Sequence, residues 1–192
     1  SGMSHENSII SRYEKETESA SLGCANLWPF ISLKENMCIL DLGCGRGIQT
    51  QELGRKLRGQ GLVIGLDLTP AMVEKARASN NPGNVEFVVG AIEDLPFEDN
   101  RFDLIVSNCV INHARDKRKV WSEIYRVLKP DGFFTVSDIY STVPVPEEYA
   151  NDPEAVAECW AGSVTREVYM SILSETGFRD ITVIEESSPY DK

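Results

Sequence analysis

Asp41-Leu42-Gly43-Cys44-Gly45-Arg46-Gly47 closes the apolar run Cys38–Leu42 and opens the helix-period segment Ile48–Leu57. Three glycines in five residues permit a tight turn and bring bare backbone within reach of a ligand, as at the strand-to-helix turns of open sheets. The same texture repeats down the chain. Leu62–Leu66, Val85–Val89, Phe102–Val106 and Phe133–Val136 read as strands, and Pro70–Ala78 and Lys117–Leu128 as helices. The last helix carries Val120, Ile124, Val127 and Leu128 on one face, and Lys129-Pro130-Asp131-Gly132 stops it. Thr69-Pro70 predicts a helix start with a threonine side-chain cap and a ring that needs no donor. Strand and helix in alternation imply parallel pairing with right-handed crossovers, hence an open, mostly parallel α/β sheet with helices on both faces.

The 192 residues suit a single domain. Residues 1–36 are expected as a cover of short helices, 37–140 as a ligand-binding core, and 141–192 as a lid segment with a last helix and strand. Thr165 starts that helix, Gly177 ends it, and Phe178–Glu185 alternates as the strand. Nineteen basic against thirty acidic side chains give a net charge of −11, which argues against nucleic acid and anionic membrane as partners. No stretch approaches the roughly 18 apolar residues of a spanning helix, and the polar start does not read as a signal peptide. Five cysteines without a Cys-x-x-Cys pair argue against a disulfide framework or zinc knuckle and for a reducing cytoplasm.

Asp67 ends the second strand of the core, 20 residues after Gly47, where a carboxylate suits the two hydroxyls of a ribose. Asp41 at the loop would repel the pyrophosphate of a dinucleotide. S-adenosylmethionine carries an ammonium, a carboxylate and a sulfonium but no phosphate, so an acid beside exposed amides is complementary to it. Gly90-Ala91-Ile92-Glu93-Asp94-Leu95-Pro96-Phe97 follows the third strand and could read an adenine, with Ile92 on the ring and Glu93 or Asp94 near its amino group; alone, it equally suits an ordinary turn.

Taken together, these segments resemble the class I S-adenosylmethionine-dependent methyltransferases from about Leu22 onward. The acid-Leu-Gly-x-Gly-x-Gly loop, the acid ending the second strand, Glu-Asp-Leu-Pro-Phe and Val-Leu-Lys-Pro-Asp-Gly recur there in this order. The resemblance implies a Rossmann-like sheet with S-adenosyl-L-methionine, and its product S-adenosyl-L-homocysteine, over the C-terminal strand edges. It places Asp41, Gly43 and Gly45 near the methionine moiety, Asp67 with Leu68 at the ribose, and Ile92 with Glu93 at the adenine; Asn108 completes the cofactor set. A typical relative has Asp where Ala91 stands.

Methyl transfer is an in-line displacement in which the protein mainly positions the acceptor, so the acceptor should be written around the exit of the fourth strand and in the covering segments. Ser107-Asn108-Cys109-Val110-Ile111-Asn112-His113 is that exit, with Cys24 in the N-terminal cover and Cys159 in the lid. Ser-Asn-Cys-Val-Ile-Asn, Ser-Asp-Ile-Tyr, Val-Pro-Glu-Glu and Glu-Cys-x-x-Gly are similar to the run of the arsenite methyltransferases. That closer resemblance implies that Cys24, Cys109 and Cys159 ligate trivalent arsenic, a thiophilic small-molecule substrate, and are the catalytic set. Each thiol also has a packing reading. The alternatives are C- or O-methylation of a small organic acceptor by way of Asn108 or His113, or a non-catalytic cofactor-binding module. The family usually continues past the equivalent of Ser188-Pro189-Tyr190 into a seventh strand; either the sequence stops short of it, or a partner covers the open sheet edge, with a homodimer as the candidate arrangement.

Overall fold

The computed structural model describes residues 6–8, 28, 31–108, 110–137, 139–141 and 164–182, with 6–8 and 139–141 described as backbone. In chain order the elements are β1 (Glu6–Ser8), β2 (Cys38–Leu42), α1 (Ile48–Lys56), β3 (Leu62–Asp67), α2 (Pro70–Ala78), β4 (Val85–Val89) and β5 (Phe102–Asn108). After a 3-10 turn at Ile111–His113 come α3 (Lys117–Val127), β6 (Leu128–Ser137), β7 (Ile139–Ser141) and α4 (Arg166–Thr176). Two compact units divide the chain: Phe30–Ser107 with Ser122–Thr135, and Ser1–Pro29 with Asn108–Trp121 and Val136–Lys192.

The first unit holds all but the final residues of β5 and β6 in a five-stranded sheet of order β4-β3-β2-β5-β6. The pairs β2–β3, β2–β5 and β3–β4 are parallel. This is the open Rossmann-like sheet that the alternation implied. The inner strands are buried along nearly their whole length, with Ile39, Leu40, Leu42, Val63, Leu66, Leu104, Ile105 and Val106 fully enclosed, because parallel strands are covered on both faces. β4 is an outer strand, and only Phe87 in it is buried. Its Phe87 carbonyl accepts from Arg77 Nε and Nη2 at 3.2 and 2.7 Å, which occupies part of the edge. The chain order reverses between β2 and β5, so the C-terminal ends of β2 and β5 border the switch point at which such sheets bind ligands, with the end of β3 beside β2.

In the second unit β1 pairs antiparallel with β7, Glu6 opposite Ser141. The expectation of helices throughout residues 1–36 is therefore corrected at 6–8: Glu-Asn-Ser has little strand preference of its own and takes its conformation from a partner far along the chain. α4 starts and stops as expected. The Thr165 hydroxyl accepts from the Val168 N–H at 3.3 Å, and Gly177 takes the left-handed conformation (φ 114°). The expected strand does not begin at Phe178, because its N–H is spent on the Leu173 carbonyl, closing the helix end, and its ring meets Trp121 edge-on at 5.6 Å. Residues 178–182 are outside any strand, and 183–185 lie outside the described residues. Tyr169 meets the same indole at 6.0 Å, and Arg118 pairs with Glu175 on the surface.

Two further expectations change. β6 starts at Leu128, not Phe133, since a strand can open with a proline near its start. Thr69 occupies the cap position of α2 without a side-chain bond; its N–H donates to Asp67 instead. Among the described residues no helix is long and apolar enough to cross a membrane.

Gly47 combines a left-handed φ of 84° with a closed neighbourhood, since a Cβ there would lie 2.5 Å from the Phe87 ring. Gly59 shares the conformation (φ 77°) but faces open space. Gly59→Ala is expected to lower unfolding free energy by about 1 kcal/mol. Gly47→Ala should lower it by about 2–4 kcal/mol, as the displaced ring adds to the strain. Urea denaturation of the pair measures the difference, and equal losses would show that Phe87 yields freely.

Candidate cofactor site

The site is built where β2 and β3 end side by side, Asp41 opposite Gly65 and Leu42 opposite Leu66. From there the glycine loop folds back onto β3. The N–H groups of Gly43 and Cys44 both donate to the Leu66 carbonyl, at 2.8 and 3.0 Å, and Gly43, Gly45 and Gly47 all have positive φ. Asp67 grips the loop: its Oδ2 accepts from the Gly45 N–H at 2.9 Å while its Oδ1 accepts from Thr69 at 3.0 Å. Each oxygen retains a lone pair, so the carboxylate is held by backbone and still able to accept from ribose hydroxyls.

Asp41 does not stand open at the loop mouth. It is 3% exposed, and its Oδ2 accepts from Thr50 Oγ1 at 2.8 Å from the first turn of α1. Burial, opposed by the Thr50 hydrogen bond and aided by the charge of Asp67, pushes its carboxyl up to about 7. Gly65 makes the arrangement sterically feasible, because a Cβ there would lie 2.9 Å from the Cys44 Cβ, a Phe87 ring carbon and Thr50 Oγ1. Thr50 and Gly65 escaped the sequence reading; a glycine inside a strand was the available signal of a close approach. Cys44 packs against the cluster of Val73, Ala76 and Phe87. Burial, then Asp41 and Asp67, raise its thiol far above the usual range, so it stays protonated.

α1 begins at Gly47 with no side-chain cap and no acid in its first turn, leaving a positive helix end beside the loop for a carboxylate. The third strand leads into a turn tied to the same centre. The Gly90 N–H donates to the Asp67 carbonyl at 3.0 Å, and Ala91 bridges Asp94, whose N–H donates to the Ala91 carbonyl. Ile92 and Glu93 on this turn are half-buried, whereas Leu68, beside Asp67, is 70% exposed. A bare backbone cradle, a positive helix end, a held acid and apolar side chains at the rim fit S-adenosylmethionine. Two neighbouring carboxylates favour its cationic end and disfavour a diphosphate.

Asn108 ends β5 and is half-buried. Cys24, Cys109 and Cys159 lie outside the described residues, and among the described residues no group of three potential metal ligands converges. His113 ends the 3-10 turn; partial desolvation and then the Lys117 ammonium hold its imidazole below the usual range.

Residues 33–177 match the methyltransferase-domain family. An arsenite methyltransferase of Halobacterium salinarum is 38% identical over 165 residues, covering 84% of this chain and 42% of that protein. The arsenite methyltransferase of Homo sapiens is 32% identical over 186 residues, 91% of this chain and 49% of that one. The crystal structure of an arsenic(III) S-adenosylmethionine methyltransferase from Chlamydomonas reinhardtii has a TM-score of 0.70 at 35% identity, over 76% of this chain and 53% of that one. The chain spans about half the length of these relatives.

The raised Asp41 carboxyl makes ligand binding and stability depend on pH. In the folded protein it holds a proton that the unfolded chain, with an ordinary aspartate, releases. Its contribution to stability is full below about pH 4 and is lost as pH rises through about 7. A cation bound nearby favours the ionised form. S-adenosylmethionine should therefore bind more tightly as pH rises from 6 to 8, with proton release measurable by calorimetry in buffers of different ionisation enthalpy. Asp41→Asn should abolish that release, and Thr50→Val, by removing the bond to the ionised form, should move the transition to higher pH. Binding that is independent of pH in the unsubstituted protein would contradict this account.

Proposed function

Because the chain belongs to the class I S-adenosylmethionine-dependent methyltransferase family, we propose that it methylates trivalent arsenic, held as a substrate by the thiolates of Cys24, Cys109 and Cys159. The observation carrying this reading is the likeness to arsenite methyltransferases in both sequence and structure. A reducing cytoplasm suits it, since the three thiols must stay unoxidised to ligate.

The sulfonium of the cofactor supplies an electrophilic methyl group. Asp67 orients the ribose through a carboxylate already fixed by Gly45 and Thr69. Asp41, backed by Thr50, supports the ammonium of the methionine end, and Ile92 and Glu93 receive the adenine. The task left to the cysteines is positional: thiolates bind arsenic softly and leave its lone pair directed at the methyl carbon. Transfer would form the arsenic–carbon bond from the arsenic lone pair while the carbon–sulfur bond breaks onto sulfur, so that arsenic itself gives up two electrons, from As(III) to As(V), the positive charge passes from the sulfonium to arsenic, and S-adenosylhomocysteine leaves without it.

Cys109→Ser and Cys159→Ser should each weaken binding of arsenite by at least about tenfold, the scale on which even outer-shell partners of a metal ligand act. Both should keep S-adenosylmethionine binding and lose arsenite-dependent release of S-adenosylhomocysteine. Titration and product release together are decisive. Unchanged arsenite binding in both variants would hand the acceptor role to an organic molecule, and cofactor binding without turnover of any acceptor would leave a binding module.

A further inference from the structure

The turn Ala91–Asp94 carries the residues that the proposed function sets against adenine, yet little within it fixes its position. It is fixed from outside, at both ends. On one side lies the Gly90–Asp67 bond already described; on the other, Leu95-Pro96-Phe97 is fastened to α3. The Leu95 N–H donates to Glu123 Oε1 at 2.8 Å. The Leu95 carbonyl accepts from Arg126 Nη2 at 3.0 Å, and the Phe97 carbonyl from Arg126 Nη1 at 2.7 Å. Nη1 also reaches Asp99 at 2.9 Å. Nε and Nη2 return to the two oxygens of Glu123, at 2.7 and 3.1 Å.

All five guanidinium N–H groups are thereby used, on two backbone carbonyls and two carboxylates. A lysine has three donors on one atom and could not span these acceptors. Glu123 is 7% exposed and Leu95 is buried, so the bond between them is shielded from competing water, whereas Arg126 is part-buried and its Asp99 end is open to solvent. Pro96 contributes a fixed φ and no donor, which leaves the flanking carbonyls as the handles by which the segment is held. Phe97 is further wedged edge-on against Phe102 at 5.1 Å.

We propose that Glu123 and Arg126 are positioning residues that set the selectivity of the site for adenine, by fixing the backbone from which Ile92 and Glu93 project. The inference rests on the cofactor reading above and goes beyond it. Neither side chain touches the cofactor; both act through the Leu95-Pro96-Phe97 backbone. The carboxylate of Glu93 or Asp94 near the exocyclic amino group accepts from adenine and repels the oxo group of hypoxanthine, but only if the turn is held in register.

The test compares the affinities of S-adenosylhomocysteine and S-inosylhomocysteine, which differ in the amino-to-oxo change at C6 and the proton it places on N1, for the unsubstituted protein, Arg126→Lys and Glu123→Gln. The unsubstituted protein should prefer the adenine compound by about tenfold, the net worth of one hydrogen bond. In Arg126→Lys the preference should collapse towards unity, with the loss falling on the adenine compound. Turnover at saturating S-adenosylmethionine should stay close to normal, because the methionine end is held by other groups. Loss of packing alone would weaken both compounds in parallel and leave their ratio intact, and that result would overturn the proposal. If Arg126→Lys does not fold, Glu123→Gln decides, since it keeps the shape of the side chain and removes its charge together with one of its two acceptor oxygens, both of which are in use; an unchanged ratio there has the same force. A lack of preference in the unsubstituted protein would instead overturn the assignment of adenine to this turn, and the proposal with it.

Discussion

The glycine loop lies directly on the end of β3, and the remainder of the cofactor site depends on that contact. Two loop amides share the Leu66 carbonyl and a third is held by Asp67, so the loop is in effect an extra layer on the strand below it. The approach is possible because Gly65 has no side chain where Cys44, Phe87 and Thr50 converge. Once the loop is seated, α1 must start where Gly47 turns, and its first turn brings Thr50 onto Asp41. Steric room at one strand position thus determines where a hydroxyl, a carboxyl and a helix terminus stand relative to one another.

The charge arrangement follows from the same geometry. Asp41 and Asp67 end neighbouring strands, close enough for one to raise the other, and Asp41 has lost almost all contact with water. Without a cation nearby, ionising Asp41 is unfavourable; with one, the desolvation that disfavours its charge strengthens the attraction. Asp67 differs because backbone donors hold both its oxygens, and it is only half-buried. One acid is therefore fixed in direction and the other is poised in charge, a division suited to a ligand with hydroxyls at one point and a positive charge at another.

Much of this was legible in the sequence. β2, β4 and α2 have the bounds their patterns gave, because apolar runs between turn residues leave little choice of register. The glycine loop, Asp67 and the turn after β4 were legible for the same reason: each follows directly from the end of a strand. What could not be read depends on long-range partners. Glu6–Ser8 is a strand only because Ile139–Ser141 lies beside it. Thr69 looks like a side-chain cap, but the Met72 N–H that its hydroxyl would bond goes to the Thr69 carbonyl. Phe178 looks like the start of a strand, but closing α4 uses its N–H. Thr50, Gly65 and Glu123 carry no motif of their own, and Arg126 only heads the run Arg-Val-Leu-Lys-Pro-Asp-Gly; their importance comes from what the fold brings against them.

The two ends of the cofactor site also differ in when they can form. The loop and the acid that grips it are 22 residues apart, joined through one helix and one strand. The turn after β4 takes its second anchor from Glu123 and Arg126, 28 and 31 residues beyond Leu95. Loop closure between such points costs entropy before the hydrogen bonds repay it. The glycine-loop end can thus be organised by β2, α1 and β3 alone, while the turn after β4 stays without its outer anchor until α3 has docked. A fragment ending before α3 would contain Asp41, Asp67, Ile92 and Glu93 and still lack the groups that hold the last two in place, so the presence of the motif residues is not sufficient to form the site.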